Sequence, residues 1–164
     1  MKTLILVSSK YGAAEKCAKL IMKDLEGKVD MINLKNKECK EIDSYDTVII
    51  GGSVYAGRIG EEIKKIIENN KESLCKKNVG LFVCCKEEGE KAQEFMKANI
   101  PEWLIERAFI KEHLGHEINL EKMNFLERFL LKNIFKVKES YSMIDYDALK
   151  RLIEKINRMD VVNG

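Results

Sequence analysis

Three short apolar runs constrain the fold of this chain more than any other feature of its sequence. They cover residues 4–7, 47–50 and 79–85, and each precedes a segment in which apolar residues recur with helical spacing. A run that is apolar at every position is typical of a parallel strand covered on both faces. Strands that alternate with helices predict an α/β fold, a doubly wound parallel sheet with helices on both faces.

Two more strands complete a predicted five-stranded sheet. Residues 29–34 alternate between apolar and polar and predict a short second strand, whereas residues 108–110 fall in a predicted fifth strand. The first helix is the clearest, because its apolar residues at 14, 17, 18, 21 and 25 share one face. The length of 164 residues predicts a single domain over residues 1–164.

Residues 117–140 exceed what a five-stranded domain needs, and they predict an inserted amphipathic helical segment. Apolar residues between 120 and 137 would cover more than half the circumference of one helix, opposite a polar strip of Asn124, Arg128, Lys132 and Lys136. Aromatic residues opposite a cationic strip suit a membrane surface or a hydrophobic substrate. Packing against the rest of the chain and contact within a homodimer are the alternatives.

Composition argues against several classes of protein. No apolar run approaches the ~20 residues of a membrane span, and the start of the chain does not resemble a secretory signal, so we expect a cytoplasmic protein. A net charge of +2 without basic stretches interleaved with aromatic residues argues against nucleic-acid binding. Five cysteines without metal-ligand spacing predict reduced thiols and no metal site.

The loop after the first strand carries the pattern of an anion site. Hydroxyls and a glycine precede the first helix, in the order Ser9, Lys10, Tyr11, Gly12, Ala13 and Ala14. The N–H groups of such a loop and the positive end of the helix converge on one point. Ser9 can add a hydroxyl donor, and Gly12 lets the backbone approach a ligand closely. Neither a Walker A loop nor a dinucleotide fingerprint is present, and an ordinary turn capped by serine is the alternative.

Two further strand ends are expected to meet this loop, because ligands of doubly wound sheets bind beyond the carboxyl ends of the strands. The third strand is followed by Ser53, Val54, Tyr55, Ala56 and Gly57, and the fourth by Lys86 and Gly89. A phosphate in the first loop and a planar heterocycle between the other two describes FMN. As alternatives, Tyr55 is an exposed turn residue, and residues 51–52 serve only packing. No residue is indicated as a catalytic acid or base.

These residues resemble the flavodoxin family, whose first loop, [ST]-x-[ST]-G-x-[ST], binds the FMN phosphate. The motif falls on residues 9–14, with Tyr11 and Ala14 in place of two hydroxyl residues. The resemblance implies a strand order of 2-1-3-4-5, FMN as cofactor and Tyr55 as the aromatic residue beside the flavin. Residues 1–6, 45–51 and 126–129 further resemble the bacterial, menaquinone-dependent protoporphyrinogen oxidases of flavodoxin-like fold. A phospho-receiver domain shares the strand order but needs aspartates where this chain has serines.

Two classes of function follow from the resemblance. The first is an FMN oxidoreductase acting on a hydrophobic substrate, such as a porphyrinogen, with a quinone acceptor and contact with the inner face of the membrane. The second is a flavodoxin that carries electrons between redox partner proteins. Such carriers are usually acidic, so the net charge of +2 favours the oxidoreductase. A domain that has lost its flavin is a third alternative, because of Tyr11 and Ala14.

Overall fold

A computed structural model of the chain describes the backbone of residues 1–39 and 41–163 and the side chains up to residue 159. Residues 40 and 164 of the predicted 1–164 domain lie outside it. Five parallel strands form the central sheet in the order β2-β1-β3-β4-β5. They are β1 (Lys2–Ser8), β2 (Lys28–Asn33), β3 (Thr47–Ser53), β4 (Asn78–Cys84) and β5 (Ile110–His113). The predicted fold class and strand order are confirmed.

Helices cover both faces of the sheet, because each presents one apolar face to it. The helices outside the inserted segment are α1 (Ala13–Asp24), α2 (Glu61–Asn69), α3 (Lys71–Leu74), α4 (Gly89–Asn99), α5 (Glu102–Arg107) and α7 (Tyr146–Asn163). On one side, Ile63, Met96 and Leu104 of α2, α4 and α5 pack on the sheet. On the other side, Cys17 of α1 and Leu152 of α7 do so.

The glycines at the end of β3 are required by packing. A Cβ on Gly51 would overlap the ring of the buried Phe82, and a Cβ on Gly52 would lie 2.8 Å from Ile59 Cγ1. The packing role weighed for these residues is therefore present in the structure. The same close packing fixes the backbone at the end of β3, where the next loop begins.

The fifth strand begins later than the sequence indicates. Residues 108–110 were expected in it, but β5 covers Ile110–His113. Ala108 still caps α5, since its N–H donates to the carbonyl of Leu104 at 2.9 Å. The chain can pair with β4 as a strand only after it has left this helix.

The prediction of one helix over residues 120–137 was wrong. The structure extends the inserted segment from the predicted residues 117–140 to residues 115–144. It begins with β6 (Gly115–Ile118), which pairs antiparallel with β7 (Tyr141–Ile144) at its end. Between them lie a 3₁₀ turn (Leu120–Lys122) and α6 (Phe125–Asn133). The Asn124 side chain accepts the N–H of Glu127 at 2.9 Å, and Glu127 accepts the N–H of Asn124 at 3.1 Å. This capping box starts the helix at a fixed residue and separates it from the turn before it.

The predicted polar strip is also broken. Asn124 caps α6, and Arg128 turns back to donate to the carbonyls of Leu120 at 3.0 Å and Met123 at 3.3 Å. Lys132 lies in the last turn of α6, whereas Lys136 lies beyond it with a positive φ of 57°. Asn124 and the two lysines remain exposed, whereas Arg128 is half-buried. None of the helices in the described part of the chain combines the length and apolar character needed to cross a bilayer.

Candidate functional site

A cavity of about 440 Å³ opens where β1, β3 and β4 end. Its volume is within the range of about 300–1,000 Å³ that is usual for small-molecule sites. Seven of the predicted site residues line it: Lys10, Tyr11, Ala13, Ser53, Val54, Tyr55 and Lys86. The structure thus brings together the three loops that the sequence singled out.

Six of the predicted site residues do not line this cavity. Ser9 and Gly12 lie in the first loop, and Ala14 is in the first turn of α1. Ala56 and Gly57 form the tip of the turn after β3. Gly89 is the first residue of α4 and lines a separate cavity, together with His113 and Arg151. The loop after β4 therefore contributes Lys86 to the main cavity, whereas Gly89 lies at the separate one.

The first loop is held by two serine hydroxyls. Ser9 Oγ accepts the N–H of Gly12 at 3.2 Å, and Ser53 Oγ accepts the N–H of Ala14 at 3.3 Å. Gly12 has a φ of +101° and directly precedes α1. Within the described residues, the N–H groups of Lys10, Tyr11 and Ala13 have no acceptor. Three available donors at the positive end of a 12-residue helix fit an anion such as a phosphate.

Tyr11, which replaces a hydroxyl residue of the family motif, holds the inserted segment instead. Its hydroxyl donates to the carboxylate of Glu127 in α6, which also accepts from Lys10 Nζ at 2.6 Å. These hydrogen bonds from Lys10 and Tyr11 lower the pKa of Glu127 to about 2. Burial and the bond to Glu127 raise the pKa of Tyr11 to about 12. We call these three residues the Glu127 latch, and at neutral pH its carboxylate is ionised and its phenol is neutral.

Tyr55 stands at the mouth of the cavity on a tight turn. Tyr55 and Arg58 exchange two backbone hydrogen bonds of 2.9 and 3.0 Å. Ala56 and Gly57 between them have φ angles of 49° and 75°, as in a turn of type I′. The Tyr55 ring is 51% exposed and meets the Tyr11 ring edge-on, with centroids 5.6 Å apart. Tyr55 is thus both an exposed turn residue and part of the cavity wall.

The inserted segment supplies a wall that the sequence did not indicate. His116, Glu117 and Ile118 of β6 line the cavity, and so do Met123 and Leu131. Burial and the nearby charge of Lys86 lower the pKa of His116, so its imidazole is neutral at pH 7. No local pattern marks these residues, because their position depends on the pairing of β6 with β7 across more than twenty residues.

The cysteines near the cavity are thiols. Cys84 and Cys85 line it, and all five cysteines of the chain are free. Burial raises the pKa of Cys85 to about 11. The described residues contain no group of three or more His, Cys, Asp or Glu side chains placed to hold a metal ion.

The sequence model of the Flavodoxin domain matches residues 4–145. The chain belongs to the flavodoxin domain family. This membership confirms the family expected from the first loop, and with it FMN as the cofactor. No curated protein sequence matches the chain.

Solved structures show the same fold at low sequence identity. A flavodoxin from the domain Archaea is 14% identical with a TM-score of 0.55, and the match covers 97% of this chain and 98% of that flavodoxin. A short-chain flavodoxin associated with a PDU bacterial microcompartment is 14% identical with a TM-score of 0.57, at coverages of 97% and 99%. The rubredoxin oxygen:oxidoreductase of Desulfovibrio gigas is 17% identical with a TM-score of 0.60. That match takes in 96% of this chain but only 35% of the length of the oxidoreductase.

Gly12→Ala tests the placement of the phosphate in the first loop. The substitution strains a residue with φ +101° and places a methyl group 2.6 Å from Lys122 Nζ. We expect FMN affinity to fall at least about tenfold, or about 1.4 kcal/mol, in titrations followed by flavin fluorescence. Gly27→Ala is the matched control, because Gly27 has a φ of +85° but lies between α1 and β2. Native FMN affinity in Gly12→Ala would contradict this placement.

Glu127→Gln tests the latch. The capping box tolerates glutamine, so the substitution removes the charge and leaves the cap. The lowered pKa of Glu127, from 4.5 to about 2, stabilises the folded chain above pH 4.5, and this contribution disappears as the pH falls towards 2. We expect the native chain to exceed the variant in unfolding free energy by no more than about 1 kcal/mol at pH 7, since water screens the exposed Lys10.

Urea unfolding at pH 7 and pH 3 measures this difference, which shrinks at the lower pH. Glu121→Gln is the control, because Glu121 is an exposed carboxylate of the same segment without an ion pair among the described residues. A difference that stays constant between the two pH values would contradict the assignment of an ionised, hydrogen-bonded Glu127.

Proposed function

We propose that this chain is an FMN-dependent oxidoreductase that acts on a hydrophobic small molecule. The apolar outer face of α6, next to the cavity, is the observation that carries this proposal. On α6, Phe125 is 84% exposed, and Leu126 and Phe129 are exposed as well. Ile134 and Phe135, directly after the helix, are also exposed, Phe135 at 68%. Contiguous exposed apolar surface marks a site of interaction. Leu131, on the same helix, lines the cavity, so this surface adjoins the site.

In the proposed complex, residues 9–14 hold the FMN phosphate through the available N–H groups of the first loop. The flavin ring lies between the Tyr55 turn and Lys86, where Ser53, Val54, Ala56 and Gly57 shape the backbone. Bound FMN supplies the redox chemistry. The residues of the chain bind and orient it, and the wall from β6 and α6 restricts access from water.

The charged residues around the cavity favour reduction of the bound cofactor by two electrons. Lys10, Lys35, Arg58 and Lys86 line it, against the two carboxylates of Glu61 and Glu117. Lys10 is paired with Glu127, so a carboxylate offsets its positive charge. Arg58 and Lys86 have no ion pair within the described residues. Their positive charge favours the fully reduced cofactor, which is the more negative form.

The substrate class follows from the resemblance of residues 1–6, 45–51 and 126–129 to flavodoxin-like protoporphyrinogen oxidases. We infer a porphyrinogen as the hydrophobic substrate and a quinone as the acceptor. A quinone dissolves in a membrane, and the exposed face of α6 is suited to lie on the membrane surface while the cavity faces the lipid. A homodimer through the same face is the competing use of this surface.

The second candidate is an electron carrier between redox partner proteins. The half-exposed Tyr55 at the cavity mouth favours it, because a carrier exposes its flavin edge to a partner. The family contains such carriers. The two functions differ in how the bound cofactor takes up electrons.

Stepwise reduction with dithionite distinguishes the two functions. We expect the absorbance of the FMN-loaded chain to pass from oxidised to fully reduced with little long-wavelength absorbance between them, because the cationic cavity favours the second electron. Arg58→Gln and Lys86→Gln together should increase that absorbance. A strong and persistent long-wavelength band in the native chain would favour the carrier and contradict the oxidoreductase.

Vesicle sedimentation tests the use of α6. We expect the native chain to bind anionic vesicles, and Lys132→Glu with Lys136→Glu to reduce binding severalfold. Lys23→Glu with Lys155→Glu is the control, because it changes the net charge equally on α1 and α7. If the native chain stays in the supernatant with vesicles present and elutes as a dimer in size-exclusion chromatography, the homodimer replaces the membrane contact.

A further inference from the structure

Lys122 lies against the first loop, although it is more than one hundred residues away in sequence. An ideal Cβ built on Gly12 would be 2.6 Å from Lys122 Nζ and 3.7 Å from its Cε. The ammonium group therefore occupies the space above Gly12, at the start of α1. The family motif contains no cation at this point, and the sequence analysis did not indicate Lys122.

This placement puts two positive groups together. The start of α1 carries the partial positive charge of its unpaired N–H groups, and a cation at such an end is unfavourable unless an anion lies between them. The ammonium group of Lys122 makes no hydrogen bond and no ion pair within the described residues, although its charge interacts with the carboxylates of Glu15 and Glu117. Each of these carboxylates has a closer cationic partner, since Lys19 binds Glu15 at 2.7 Å and Lys16 binds Glu117 at 2.5 Å.

The turn that carries Lys122 is firmly anchored. Leu120 and Met123 on either side are buried at 6% and 8% exposure. Ser140 Oγ accepts the N–H of Leu120 at 2.9 Å, and Arg128 donates to the carbonyls of Leu120 and Met123. The Glu127 latch fixes the next helix on the same loop. The backbone of Lys122 is thus held in place before any ligand arrives.

We propose that Lys122 binds the phosphate of FMN as a counter-charge supplied by the inserted segment. This inference rests on the first loop as the phosphate site. It explains how the loop can function with Tyr11 and Ala14 in place of hydroxyl donors: one ammonium group gives a charge-assisted contact that is stronger than a neutral hydroxyl. It also makes the inserted segment part of the cofactor site, together with the Glu127 latch.

Comparison of FMN with riboflavin isolates the phosphate, because the two ligands share the flavin ring. We expect the native chain to bind FMN much more tightly than riboflavin. In Lys122→Met, FMN affinity should fall about tenfold, equivalent to about 1.4 kcal/mol, whereas riboflavin affinity stays unchanged. Lys122→Arg should recover most of the loss. Fluorescence titration of each ligand with apo-protein measures these values.

Lys138→Met serves as the matched control, because it removes one exposed lysine of the same segment and should leave both affinities unchanged. A native preference for FMN that survives intact in Lys122→Met would overturn the role of Lys122 and leave the phosphate site in place. Equal native affinities for FMN and riboflavin would overturn the phosphate site itself. A parallel loss of both ligands in Lys122→Met would show a structural effect and would also overturn the inference.

Discussion

The carboxylate of Glu127 is the contact on which the shape of the candidate site depends. It accepts from Tyr11 and Lys10 in the first loop and from the N–H of Asn124 at the start of α6. The same group therefore caps the inserted helix and attaches it to the sheet domain. Because its pKa lies near 2, it stays ionised under all physiological conditions. Met123 and Leu131 reach the cavity wall from elements that this carboxylate holds.

The latch gives a physical reason for the departures from the family motif. A serine or threonine at position 11 is too short to reach α6, whereas the phenol of Tyr11 reaches it. The loop loses a neutral donor to the phosphate, but the inserted segment places Lys122 above Gly12. If Lys122 binds the FMN phosphate as proposed, FMN binding and the position of the inserted segment depend on each other.

The inserted segment has two sides with different properties. One side carries Leu120 and Met123, which are buried against the domain, and the other exposes the aromatic residues Phe125, Phe129 and Phe135. A helix fixed by a capping box and by the latch can keep such a surface exposed without rearranging to bury it. This arrangement suits the proposed oxidoreductase, in which a hydrophobic substrate would lie next to the flavin.

The sequence by itself determined the sheet, and its resemblance to the flavodoxin family supplied the strand order. Continuous apolar runs indicate strands that are buried on both faces, and helical spacing of apolar residues indicates a helix with one buried face. Both patterns can be recognised locally in the sequence. The loops after β1, β3 and β4 could be located because parallel strands end at one edge. The tertiary structure alone decided how the inserted segment folds and what it contributes. Arg128 looked like a surface cation but binds two carbonyls, and the apolar residues over 120–137 concealed a 3₁₀ turn and a separately capped helix. The pairing of β6 with β7 on either side of that range was not indicated. Contacts between residues distant in the chain bring three further residues to the site, namely His116, Lys122 and Glu127. No local sequence pattern predicts such contacts.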